Sequence, residues 1–252
     1  MRRRALAAAA LLAAALPALA YILPPGAIFR RIAAKRASLS LASLEVTGTL
    51  EVDGDAAAVV AQAAGLPPGA RVLAPARLDL KVPGRCRLEL SSPGLAAADR
   101  PFVAVRGGRI SGHVLDGVPG AVALVRSTCA LLAVSSAGDA ARSYADALAR
   151  RGVSPGVVTL GRMDGRIAFV IGGREQDAGT PRAFVDKESF QPERLVSREG
   201  GVLLDVRLVD WGSPTGGDWF PRAVEAWQGE RLLARFTTEH ATANPRLPDS
   251  LF

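Results

Sequence analysis

The stretch from Arg182 to Phe252 constrains the fold most. Within it Leu232, Ala234 and Phe236 alternate with Arg231, Leu233, Arg235, Thr237 and Glu239, the period of two shown by a strand with one face on a core and the other in water. Turn residues break these 71 residues into strands over 182–186, 193–197, 202–211, 219–227 and 230–240, and the run closes on Asn244, Pro245 and Pro248. So many short strands in succession imply a meander, and an antiparallel one.

The same alternation fills the first half. Leu44, Val46, Leu50 and Val52 interleave with Glu45, Thr47, Thr49 and Glu51, and Leu78, Leu80 and Val82 interleave with Arg77, Asp79 and Lys81. Pro83-Gly84 turns the chain into a strand over 85–91, and Gly107-Gly108 separates the arms of a hairpin over 102–106 and 109–115. Helical spacing predicts a helix over 27–38, after Pro24-Pro25-Gly26. An Ala-rich segment occupies 55–65. Two further helices interrupt the meander: an apolar one over 121–134 and an amphipathic one over 139–151. Strands resume over 157–162 and 167–171, and both faces of the latter are apolar, so it should be covered on each side.

The resulting fold class is mainly β (α+β): an incomplete antiparallel β-barrel of about 11–12 strands with 3–4 helices on its concave side. Long flat edges invite aggregation, so such a sheet must curl, split or close.

At the N-terminus Arg2, Arg3 and Arg4 precede an apolar run over 5–16, and Ala18 and Ala20 supply a small-residue cleavage pattern. We read residues 1–20 as a signal peptide cut before Tyr21, and 21–252 as a single exported domain. A membrane anchor is the competing reading, but the whole apolar run over 5–20, 16 residues interrupted at Pro17, falls short of the roughly 20 that span a bilayer. The net charge of +7 includes the three leader arginines, and the other basic residues are scattered among acidic ones. That pattern argues against a nucleic-acid partner.

Two cysteines suit an oxidising compartment. Cys86 shares a strand face with Leu88 and Leu90, opposite Arg85, Arg87 and Glu89, and Cys129 lies in the apolar helix. A Cys86–Cys129 disulfide is the favoured reading, two buried thiols the alternative. No C-x-x-C pair and no Gly-x-Ser-x-Gly elbow is present, and His113 and His240 stand far apart without supporting acidic or cysteine spacing. Gly172-Gly173 lacks the spacing of a phosphate loop. We therefore expect no enzyme, no metal and no cofactor.

The opening helix running into Leu44-Glu45-Val46-Thr47-Gly48-Thr49-Leu50, the segment Ala183-Phe184-Val185-Asp186-Lys187-Glu188-Ser189-Phe190-Gln191-Pro192-Glu193-Arg194-Leu195, and the close over 244–252 resemble the LolA/LolB-like periplasmic carriers of outer-membrane lipoproteins. The resemblance implies an incomplete barrel with a helical lid and an apolar cavity for acyl chains. It also implies acylated lipoprotein or lipid cargo, with loading and receiving proteins at the inner and outer membranes. A monomer is expected. The Ala-rich segment over 55–69 and the cysteine pair depart from the family pattern, and no arginine can be assigned a lid role.

Strand parity puts Leu44, Val46, Leu50, Leu78, Leu80, Leu88, Leu90, Ile167, Phe169, Leu204, Val206, Leu208 and Phe236 on the candidate cavity wall. An ordinary packed core would use the same side chains. Two other functions fit the fold: an envelope protein that senses lipid or docks a regulatory partner, and a structural envelope protein with a filled barrel.

Overall fold

The computed structural model describes residues 22–91, 95–135 and 138–252. The signal-peptide segment and its cut before Tyr21 lie outside the described residues.

Twelve strands form one sheet. They are β1 (Ser43–Asp53), β2 (Arg71–Lys81), β3 (Arg85–Leu90), β4 (Phe102–Arg106), β5 (Arg109–His113), β6 (Val158–Met163), β7 (Arg166–Ile171), β8 (Arg182–Asp186), β9 (Pro192–Glu199), β10 (Val202–Val209), β11 (Ala223–Gln228) and β12 (Arg231–Ala243). The spatial order is β5-β4-β3-β2-β1-β12-β11-β10-β9-β8-β7-β6, antiparallel throughout. Two meanders are therefore zipped together where β1 meets β12. The sheet stays open, with β5 and β6 as its edges.

Two of the three register shifts in the sheet lie in β12. Register shifts opposite Thr47/Gly48 and Ala226/Trp227 each leave an extra residue in β12, and such bulges bend a strand and raise its twist. One of them turns Leu233, placed by simple alternation on the charged face, into the core at 7% exposure. Gly48 is required at the other: a Cβ there would meet the Thr237 carbonyl oxygen at 2.0 Å.

Several strand limits differ from the sequence reading, and the two largest differences both fall at prolines. β2 starts at Arg71 instead of 77 and runs through Pro75, whose missing N–H masks the strand pattern. β11 starts at Ala223 instead of 219, because Pro221 ends an irregular segment in which Trp219 and Phe220 donate to the Gly216 carbonyl.

Among the described residues four α-helices accompany the sheet: α1 (Pro25–Ser38), α2 (Asp55–Ala64), α3 (Pro119–Leu132) and α4 (Ala140–Ala149). α2, which is the Ala-rich segment, packs on β1 and β2 through Ala57, Val60 and Ala61. α3 crosses the inner face against β3, β4 and β9 to β12, and α4 joins it to α1. The outer face of β7 is covered too. Ala168, Val170, Phe184 and Val196 form a second small apolar cluster there, beneath the guanidinium of Arg194, 4.9 Å from the Phe184 ring.

Candidate functional site

The hollow of the sheet is occupied by α3. Ten of its fourteen residues are buried, including Ala121, Leu124, Val125, Cys129, Leu131 and Leu132. Three devices hold the helix down. Gly120 lets its first turn approach β12, since a Cβ would lie 2.7 Å from that of Ala234. The Cys86–Cys129 disulfide ties its last turn to β3. Beyond it, the Gly84 N–H donates to the Ala133 carbonyl at 2.6 Å.

A second layer, α1 with α4, lies over α3. Its apolar underside is Ile28, Phe29 and Ile32 from α1 with Tyr144, Ala147 and Leu148 from α4, and the Phe29 and Tyr144 rings meet at 6.0 Å. Charged groups pin this layer. Arg36 donates to the Trp219 carbonyl at 3.2 Å and to the Leu132 carbonyl at 3.3 Å; the latter is one of the orphan acceptors at the end of α3. Burial pulls the Arg36 guanidinium down to about 10, so it stays charged at neutral pH. Lys35 pairs with Asp218 at 2.8 Å, which holds that carboxylate below its ordinary range through the hydrogen bond.

Between α3 and α4 the two layers part into a half-open cleft of about 450 Å³. Its floor is Val105, Cys129, Ala130, Ala133, Val134 and Ala147, and Gly84, Gly107 and Gly108 from two hairpin turns form one side. Arg126, Arg150, Arg151, Ser143 and Asp146 complete the rim. Glu199 anchors two of these arginines, accepting from Arg126 at 2.5 Å and from Arg151, which also donates to Ser197 Oγ at 2.7 Å. Desolvation lowers the Arg151 pKa, partly offset by Glu199. A smaller cleft of about 300 Å³ lies between α1 and the start of α4.

Twelve of the thirteen parity residues (Leu44, Val46, Leu50, Leu78, Leu80, Leu88, Leu90, Phe169, Leu204, Val206, Leu208 and Phe236) are at most 3% exposed. They share one apolar cluster with α1, α3 and α4. Neither cleft is lined by any of them. Ile167 is 45% exposed, near the β6–β7 turn. The cleft arginines escaped strand parity because they sit on or just after helices. One signal was present, however: Arg126 is the only charged residue in the apolar run of α3. His113 and His240 are exposed, and among the described residues no group of His, Cys, Asp and Glu could hold a metal.

This architecture superposes on that of a solved protein. A LolA superfamily protein of Nitrosomonas europaea superposes with a TM-score of 0.51 at 13% identity, covering 92% of this chain and 98% of that one. The chain has a LolA-like fold. A putative outer membrane lipoprotein-sorting protein domain of Vibrio parahaemolyticus matches with a TM-score of 0.44 at 11% identity, over 88% of this chain and 94% of that one. A DUF1329 family protein of Desulfovibrio piger matches with a TM-score of 0.44 at 11% identity, over 91% and 98%. No family model matches the sequence, and no curated protein is similar to it.

Proposed function

We propose that this protein is a non-enzymatic periplasmic carrier that takes acyl chains of lipoproteins or other amphiphiles between α3 and the α1/α4 layer. The observation that carries the reading is the α3–α4 cleft, an apolar floor already open to solvent in a LolA-like fold. α3 is tied covalently to the sheet, whereas the outer layer is held by side-chain contacts, so cargo enters by displacing α1 and α4. Each methylene buried contributes about 0.8 kcal/mol before ordering costs, which can replace the apolar underside of the displaced layer. The parity residues then act as the packed bed beneath α3. A leader over 1–20 and loading and receiving proteins at the two membranes belong to the same reading, as does a single domain over 21–252.

Native mass spectrometry of protein purified from the periplasm tests it: co-purifying acylated material is expected. A fluorescent fatty acid should bind, and Ala130→Trp, which fills the cleft from a partly exposed position, should reduce that binding at least tenfold while the melting temperature holds. Absence of both cargo and probe binding would overturn the carrier reading. The interior filled by α3 would then favour a structural envelope protein.

A further inference from the structure

We infer that the α3–α4 cleft selects an amphiphile with a single negative charge on its head group, held by Arg150. The inference rests on the carrier reading and adds the chemistry of the head.

The charges around the cleft are unevenly committed. Glu199 already serves Arg126 and Arg151. Arg150 is exposed and makes no side-chain hydrogen bond or ion pair among the described residues, although it faces the cleft. Arg151 is buried and commits one terminal nitrogen to both Glu199 and Ser197. An exposed guanidinium without a partner can give charge-assisted, bidentate hydrogen bonds to an anion at the rim, so Arg150 is the donor available there. Three arginines against Asp146 and Glu199 leave one positive charge. Asp146 stands one turn before Arg150 on α4 and also lines the cleft, so it opposes a second negative charge on the ligand. The balance therefore fits a carboxylate or a phosphodiester better than a phosphomonoester dianion. The chain would lie along Val105, Ala130 and Val134. A volume of about 450 Å³ falls within the range of small-molecule sites.

Three ligands with the same acyl chain separate the possibilities: palmitate, palmitoyl-lysophosphatidylglycerol and monopalmitoylglycerol, titrated below their micelle concentrations. At least one anion should bind about tenfold tighter than the neutral glyceride, and which one does so identifies the head group as carboxylate or phosphodiester. That advantage should shrink as salt is raised. In Arg150→Gln the anion should fall to the level of the glyceride with the melting temperature unchanged. Equal binding of glyceride and anions by the wild type would overturn the head-group inference and leave the carrier reading intact. No binding of any of the three would overturn both.

Discussion

The helical cover has two layers that are fastened differently. α3 is buried on most of its surface, presses on β12 through Gly120 and is bonded covalently to β3. α1 and α4 bury only three residues each. They are retained by Arg36, by Lys35 on Asp218, and by Arg151 beyond the end of α4 on Glu199. A buried apolar helix leaves only when the core around it unfolds, whereas a half-buried layer can lift at the cost of a few contacts. On the proposed carrier reading α3 belongs to the scaffold and α1/α4 to the part that moves.

Breaking the inner layer should have the largest effects. Val125→Asp places a charge where exposure is zero and should abolish folding, seen as loss of the cooperative urea transition; a folded variant would mean α3 is dispensable. Removing the Cys86–Cys129 bridge, with both cysteines replaced by serine, should lower stability by about 4 kcal/mol, the chain-entropy value for a loop of this length. Urea unfolding of that variant measures it. Matched truncations sharpen the contrast, because Leu131 in α3 and Leu148 in α4 are both fully buried. Leu131→Ala should cost about 3 kcal/mol of global stability, while Leu148→Ala should chiefly speed amide exchange in α1 and α4. Equal global losses would erase the distinction between layers. Smallest is Arg36→Gln, worth about 1 kcal/mol, which should be read as faster exchange in α1 with the α3 amides unchanged.

Alternation made the sheet legible. Strand periodicity survives wherever one face is wet and the other dry, which is why β1, β3 and β12 could be read directly. The disulfide was legible for a related reason, since both cysteines fall on apolar faces. What alternation cannot distinguish is a wall from a core. Leu88 and Phe236 present the same parity whether they face an empty hollow or α3, and here α3 is in the way. The candidate site was harder still, because it is assembled from Val105 on β4, Cys129 on α3 and Arg150 after α4. No local pattern links residues that meet only through tertiary packing. Prolines hid the start of β2 and exaggerated the length of β11.

The pairing of β1 with β12 has a consequence for how the chain folds. Leu44 sits beside Ala243, so the central seam of the sheet joins residues from nearly opposite ends of the sequence. Every other strand pair forms between neighbours in the sequence. High sequence separation slows folding, and in a chain emerging from its N-terminus β1 can pair with β2 but has no β12 until almost all of it is free. Until then it is two separate ribbons, and closure of the seam is the natural late step in its maturation.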